Sequence, residues 1–129
     1  MKKIKSVPLV LQYEAVECGA ASLSMILRSH GKYMPLGEIR IGCAVTRDGS
    51  NLKNLTLYAK SLGLTSQGKR IGVKTLSKQE EDFFPCICFW RNCHFLVLEG
   101  VDQDGRFNIA DPAGGKYSLS QEEFAKSYS

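Results

Sequence analysis

The chain has 129 residues, which suffices for one domain with a single buried core. Hydrophobic residues make up 43% of it and charged residues 23%, proportions that exclude a disordered or fibrous chain. The net charge of +4 is scattered apart from Lys2, Lys3 and Lys5, whereas a nucleic-acid binder concentrates basic residues on one face, so we expect no nucleic-acid partner.

The N-terminal segment begins like a signal peptide but does not continue as one. Val7 to Leu11 is apolar but contains Pro8 and ends at Gln12, short of the roughly 7–15 apolar residues of a secretory core. No stretch approaches the ~20 apolar residues of a membrane helix. The five cysteines are odd in number and lack the spacing of a disulfide scaffold, so we expect reduced thiols in a cytoplasmic setting.

Helices are predicted in the first half. Cys18 to His30 carries apolar residues at helical spacing, and Gly31 suits the left-handed position after a helix end. A short helix is expected around Leu36 to Ile41. After a polar loop at residues 46–49, a further helix should begin at Asn51.

The cap of that further helix is assigned to Ser50, and its apolar spacing runs to Leu62 before Gly63 closes it.

The second half changes to the two-residue period of strands. Turn residues separate four short apolar runs. The predicted strands are Pro85 to Trp90, Cys93 to Val101, Arg106 to Ala110 and Tyr117 to Leu119. Ser120 and Glu123 have the spacing of a capping box, so a short helix should end the chain. Helices followed by an antiparallel sheet predict an α+β fold, with residues 1–129 as one domain.

Cys18 is the candidate nucleophile. It stands at the start of a predicted helix, where free N–H groups and the helix dipole favour a thiolate. Gly19 lacks a side chain and is expected to let a substrate backbone come close. The structural alternative is a small buried residue that packs the start of the helix, as free cysteines commonly do.

His94 is the candidate base. The other histidine, His30, lies about 12 residues and therefore ~18 Å along the same helix from Cys18, too far to reach it. His94 lies near the start of a predicted strand. The alternative for His94 is a half-buried strand histidine bonded to backbone.

Asp111 is the candidate that orients the histidine. It follows the strand expected to pair with that of His94, and the two lie nine residues before and eight after Gln103, so they should lie side by side. The alternative is that Asp111-Pro112 only ends a strand.

Gln12 completes the candidate set. Its amide NH₂ could join the N–H of Cys18 as a donor to an oxyanion, with a solvated loop glutamine as the alternative.

Two other groups are weighed and set aside. Cys86, Cys88, Cys93 and His94 could suggest zinc, but Cys-x-Cys on a strand lacks the knuckle of Cys-x-x-Cys, so these strand cysteines are expected in the core with Trp90. Gly114-Gly115 lacks the lysine–serine pattern of a phosphate loop and is interpreted as a turn. We therefore expect neither metal nor cofactor.

Taken together, these motifs resemble the N-terminal peptidase domain of bacteriocin- and lantibiotic-exporting ABC transporters. The resemblance covers nearly the whole chain and depends on the order and spacing of its blocks. The blocks are Gln12-x5-Cys18-Gly19-Ala20-Ala21, Met25-Ile26-Leu27, Gly31, Arg47-Asp48-Gly49-Ser50, His94-Phe95-x-Val97-Leu98 and Asp111-Pro112-x-x-Gly115. One departure is Glu17, where the family usually has Asp.

The resemblance implies a papain-like fold and an active site without a cofactor. It assigns Cys18 as nucleophile, His94 as base, Asp111 as orienting residue and Gln12 as oxyanion donor. It also implies cleavage of an amphipathic helical leader peptide after a Gly-Gly, Gly-Ala or Gly-Ser pair. The membrane and ATP-binding domains of a full transporter would be its partners, and the site would face the cytoplasm at the inner side of the membrane.

Three other functions stay open from the sequence. One is a non-catalytic leader-binding module, another an acyl transferase or amidase with the same triad, and the third a zinc-binding module. The sequence ends soon after its last helix, so an excised or stand-alone peptidase domain is expected.

Overall fold

The computed structural model describes residues 3–12, 17–43, 51–64, 66, 68 and 70–129. The predicted polar loop at residues 46–49 lies outside these residues. The described helices are α1 (Cys18–Ser29), α2 (Leu36–Gly42), α3 (Leu52–Ser61), α4 (Val73–Ser77) and α5 (Gln121–Ser127), with a 3-10 turn at Glu81–Phe83. The described strands are β1 (Lys3–Ile4), β2 (Cys86–Trp90), β3 (His94–Val101), β4 (Phe107–Asp111) and β5 (Gly115–Leu119).

The first helix is confirmed almost residue for residue. It begins at Cys18 and ends at Ser29, and Gly31 follows with a φ of +79°, the left-handed backbone that glycine tolerates. Nine of the twelve residues of α1 are buried, so it is the central helix of the fold.

The cap of α3 differs from the prediction. Its side-chain cap is Asn51, whose Oδ1 accepts the N–H of Asn54 at 2.8 Å, and Asn51 has the extended backbone of a capping residue. The assignment of this cap to Ser50 was wrong because the helix begins at Leu52, one residue later than the predicted start at Asn51. At the C-terminal end, the capping box of Ser120 and Glu123 is confirmed.

The five described strands form one antiparallel sheet in which β3 is central. Helix α1 packs across one face, where Phe95 and Val97 point towards it. Leu96 and Leu98 point to the other face and pack with Phe124 of α5. The structure is therefore the predicted α+β arrangement of helices on an antiparallel sheet.

A β-bulge in the β3–β4 hairpin determines on which face of the sheet the side chains at its open end lie. Gly100 pairs with Asn108, but Leu98 pairs with Ile109, so Glu99 is an extra residue in β3. Continuing the register beyond this bulge brings Asp111 opposite Leu96, on the face that His94 shares. Without the bulge Asp111 would lie opposite Val97 and point to the other face, because strand side chains alternate.

None of the helices among the described residues is long and apolar enough to cross a bilayer. All five cysteines lie among the described residues, and no disulfide joins any of them.

Candidate active site

Cys18 is the first residue of α1, and its thiol lies against the start of β3. The backbone N–H of Phe95 donates to the sulfur at 3.4 Å. Only 7% of Cys18 is exposed, and it packs with Leu55 and Phe95 in the cluster beneath α1. Cys18 therefore packs the helix start, as the structural alternative expected, and also presents its sulfur to polar partners.

Those partners change the ionisation of the thiol. Burial by itself raises the pKa of Cys18 because a thiolate is poorly solvated in an apolar cluster. The hydrogen bond with His94, the N–H groups of Phe95 and Gly19, and the charge of His94 act in the opposite direction and prevail. The pKa of Cys18 therefore lies below the ordinary value for a cysteine, as a nucleophilic thiol requires.

His94 is brought together with both partners that the sequence assigned to it. Its Nε2 lies 2.7 Å from Oδ1 of Asp111, which leaves Nδ1 for the sulfur of Cys18. The side chains of His94 and Asp111 are 19% and 12% exposed, so solvent screens the contact only partly.

Charge on the imidazole is strongly favoured in this setting. The hydrogen bond with Asp111 is the largest influence and that with Cys18 the second, and together they outweigh burial and raise the pKa of His94 to about 9. The lowered pKa of Cys18 and the raised pKa of His94 both favour a thiolate beside an imidazolium over the neutral pair.

Asp111 has further donors that the sequence did not reveal. The N–H of Ala113 donates to Oδ1 at 2.9 Å, and the hydroxyl of Tyr117 donates to Oδ2 at 2.8 Å. Burial raises the pKa of Asp111, but the hydrogen bonds with His94, Ala113 and Tyr117 outweigh it, so the pKa lies below the usual value for an aspartate. The signal that could have found Tyr117 is the register of the β4–β5 hairpin, in which Tyr117 pairs with Ile109.

Gln12 is tied to the same end of the sheet. Its backbone N–H donates to the carbonyl of Pro112 at 2.9 Å, directly beside Asp111. Its side-chain oxygen is buried and has no hydrogen-bond partner among the residues that the structure describes. A buried polar atom of this kind is available for a hydrogen bond with a group that is not part of the chain.

Gly19 does not have the role expected of it. A Cβ at this position would lie 3.3 Å from side-chain atoms of both Leu55 and Phe95. The prediction that Gly19 makes room for a substrate backbone was wrong: its missing side chain lets α1 pack closely on these neighbours. The residue before Cys18, Glu17, is buried and forms an ion pair of 2.9 Å with Arg40 of α2.

The remaining candidates lie apart from this cluster. His30 is exposed at the far end of α1, as predicted. Cys88 and Trp90 are buried in the core opposite α1, with Cys86 packed against it, which confirms their assignment to the core face of a strand. Within the described ranges, no group of three or more His, Cys, Asp or Glu side chains is arranged to hold a metal ion. Gly114 lies in the turn before β5, and Gly115 is the first residue of that strand.

Comparisons with known proteins agree with this geometry. The family described as Peptidase C39 matches residues 6–129. The Escherichia coli protein named "Probable microcin-H47 secretion/processing ATP-binding protein MchF" is 32% identical over 98% of the chain, and the colicin V secretion/processing ATP-binding protein CvaB of the same species is 31% identical over 95%. The chain spans only 18% and 17% of the length of these two relatives.

Solved structures give the same result. A double glycine motif protease from an AMS/PCAT transporter, in complex with the leader peptide, is 41% identical and superposes with a TM-score of 0.91, covering 98% of this chain and 88% of its own. The peptidase domain of Streptococcus ComA is 21% identical, covers 94% and 91% of the two chains, and has a TM-score of 0.85, which shows a shared fold.

Proposed function

The chain belongs to the peptidase C39 family, a family of cysteine peptidases, and from that premise we propose that it removes the leader peptide of bacteriocin and lantibiotic precursors. Cleavage falls after a double-glycine type pair, Gly-Gly, Gly-Ala or Gly-Ser. The observation that carries the proposal is the contact chain from Cys18 through His94 to Asp111. The likeness to a double glycine motif protease supports the choice of substrate.

Cys18 is the nucleophile in this mechanism. Its thiolate attacks the carbonyl carbon of the second small residue, and the electron pair of the carbonyl moves to the oxygen. The lowered pKa of Cys18 and the raised pKa of His94 support a resting pair in which the proton already lies on the imidazole. His94 therefore acts first as the acid that protonates the leaving amine.

His94 acts as a base in the second half of the reaction. The neutral imidazole takes a proton from water, which then attacks the thioester and releases the leader. Asp111 holds Nε2 of the ring throughout, so that Nδ1 faces the sulfur and the scissile bond. This order of steps leaves each group as it began.

The oxyanion formed in each half is stabilised by Gln12 and the backbone N–H of Cys18. The position of Gln12 beside the Asp111 turn and the buried, unmatched polar atom of its amide support this role. The Gln12 amide can rotate by half a turn about its terminal C–C bond, which places the NH₂ group there to donate to the oxyanion.

The substrate is the leader in helical form, with its apolar face laid on the enzyme and its C-terminal small pair extended at Cys18. The relatives named above are secretion/processing ATP-binding proteins many times longer than this chain. We place the domain beside the membrane and ATP-binding domains of such an exporter, at the cytoplasmic face of the membrane.

The test is incubation of the protein with precursor peptides that differ only at the cleavage pair. Peptides ending their leader in Gly-Gly or Gly-Ala are expected to give a free leader and a free core by mass spectrometry. A matched peptide with Leu-Leu at the pair is expected to remain intact. Cys18→Ala should bind leader and fail to cut, whereas Cys93→Ala, which alters an exposed thiol, should cut as the wild type does.

Each other outcome points to a different function. Turnover by Cys18→Ala would remove the nucleophile from the proposal. Binding without cleavage by the wild type would favour a leader-binding module, and a mass corresponding to a transferred acyl group would favour an acyl transferase.

A further inference from the structure

The Asp111 carboxylate is fixed at both of its oxygens, and the group that fixes the outer one has no part in the mechanism above. Oδ1 meets Nε2 of His94 at 2.7 Å and the N–H of Ala113 at 2.9 Å. Oδ2 accepts a hydrogen bond from the hydroxyl of Tyr117 at 2.8 Å. Because the two oxygens are held from different sides, the carboxylate cannot rotate about its Cβ–Cγ bond without losing a hydrogen bond.

The fold brings Tyr117 to this position through the β4–β5 hairpin. Ile109 pairs with Tyr117, and Asp111 pairs with Gly115, so Tyr117 is the diagonal neighbour of Asp111 on the same face. Diagonal neighbours lie within reach of an aromatic side chain. The ring of Tyr117 is half-buried, and its body packs against the core opposite α1, so the hydroxyl is aimed by packing as well as by its hydrogen bond.

Resting on the proposed roles of Cys18, His94 and Asp111, we propose that Tyr117 is a positioning residue of the active site. Its hydroxyl holds the carboxylate in the ionised form and in the orientation that directs Oδ1 at the imidazole. It acts on the reaction through Asp111 and touches neither the substrate nor the sulfur.

The groups around Asp111 determine how loss of the Tyr117 hydroxyl would change the protonation of the carboxylate. The titratable and charged groups described around it are His94 from β3, Tyr117 from β5 and, behind these two, Cys18 from α1 and Arg91 from the turn between β2 and β3. Removing a donor from an acceptor anion makes the anion easier to protonate. Once Asp111 is protonated, the imidazolium loses its counter-charge and the thiolate loses the imidazolium.

Tyr117→Phe should therefore lose the reactive thiolate at a higher pH than the wild type does. The rate of alkylation of Cys18 by iodoacetamide, followed by peptide mass mapping across acid and neutral pH, is expected to show its acid limb displaced upwards. In leader cleavage kcat should fall about tenfold, the factor that one hydrogen bond to a charged group is typically worth. KM should stay unchanged because the hydroxyl does not meet the leader.

Tyr128→Phe is the matched control. Its hydroxyl donates to the carbonyl of Ile71 at 2.8 Å, so this variant also loses a hydrogen bond of a half-buried tyrosine, but at a distance from Asp111. It should keep the wild-type acid limb. An unshifted limb in Tyr117→Phe, or an equal shift in both variants, would overturn the proposal and leave Tyr117 with a structural role alone.

A double variant tests the proposal even where Tyr117→Phe lowers the stability of the protein. If the hydroxyl acts through Asp111, then Asp111→Asn with Tyr117→Phe should cleave no more slowly than Asp111→Asn alone. A further tenfold loss in the double variant would refute action through the carboxylate. The alkylation arm needs no leader, so a shifted limb supports the role of Tyr117 even where the peptides remain uncut, and that second result counts against the proposed function.

Discussion

The start of α1 and the end of α2 each hold a buried cysteine in the same apolar cluster, yet the two thiols differ sharply. Cys18 is the first residue of α1, and contacts with His94 and backbone N–H groups bring its pKa below the ordinary value although burial alone raises it. Cys43 follows the last turn of α2, where helix carbonyls gather, and burial raises its pKa to about 12. Burial thus disfavours the thiolate, and the contacts of Cys18 with an imidazole and with backbone N–H groups reverse that effect.

The largest effect is expected from a substitution that deprives Cys18 of its imidazole and so leaves its pKa raised by burial, as that of Cys43 is. His94→Ala removes the cation that favours the thiolate and the group to which we assign the protonation of the leaving amine. Leader cleavage should fall by roughly 10⁴-fold or more, and alkylation of Cys18 at neutral pH should slow, because burial raises the pKa of the thiol and the imidazole no longer opposes it. The measurements are the cleavage rate and peptide mass mapping after iodoacetamide.

His30→Ala is the control for this change, since His30 is exposed at the far end of α1. Wild-type rates are expected for it. Fast alkylation of Cys18 in His94→Ala would mean that the helix start suffices without the imidazole.

A smaller loss of cleavage activity is expected when His94 is kept and its interaction with Asp111 is weakened. Asp111→Asn keeps the shape of the side chain but removes the charge that contributes to raising the pKa of His94 to about 9. Cleavage should fall roughly 100-fold, less than in a serine triad, because the sulfur already carries its charge. The alkaline limb of the cleavage profile should move to lower pH.

Asp104→Asn is the matched control, since Asp104 is exposed in the turn between β3 and β4. A shift of the alkaline limb to higher pH in Asp111→Asn would contradict the assigned charge interaction.

The pH dependence of the wild type sharpens the comparison without any substitution. Cleavage should persist below the ordinary pKa of a thiol and decline as pH rises through about 9, where the imidazolium loses its proton. Alkylation of Cys18 should not decline in this pH range, because the thiol stays deprotonated when the imidazolium loses its proton. Stopped assays over a pH series measure both, and a cleavage limb near 6.5, the ordinary value for histidine, would show that His94 is not held charged.

The smallest effect is expected from substitution of Cys43. Cys43→Ala removes one buried sulfur from the cluster beneath α1, and the free energy of unfolding should fall by about 1 kcal/mol. Cleavage by the folded protein should be unchanged. Urea unfolding and the leader assay test the two statements, and a loss of cleavage beyond about twofold would give Cys43 a role that its position does not suggest.

The sequence predicted the α+β class of the fold and the contacts among Cys18, His94 and Asp111. The helix start at Cys18 and the meeting of His94 with Asp111 could be foreseen, because caps, apolar spacing and hairpin lengths are local properties. The short elements were missed. Strand β1 has two residues and α4 has five, too few to show a period.

Contacts that depend on register were missed as well. The hydrogen bond from Tyr117 to Asp111 depends on the pairing of β4 with β5. The meeting of His94 with Asp111 was predicted, but the extra residue at Glu99 that puts them on one face was not. Gly19 was misinterpreted because its neighbours, Leu55 and Phe95, come from distant parts of the chain. Tertiary packing decided each of these, and local sequence carries little trace of it.

The extra residue in β3 has a consequence for protein engineering. Copying the imidazole and the carboxylate onto a regular hairpin of equal length would leave them on opposite sides of the sheet. A transplanted site has to carry the irregular stretch around Glu99 with it. For the same reason, single insertions or deletions in this hairpin should inactivate the protein, whereas compensated pairs should be tolerated.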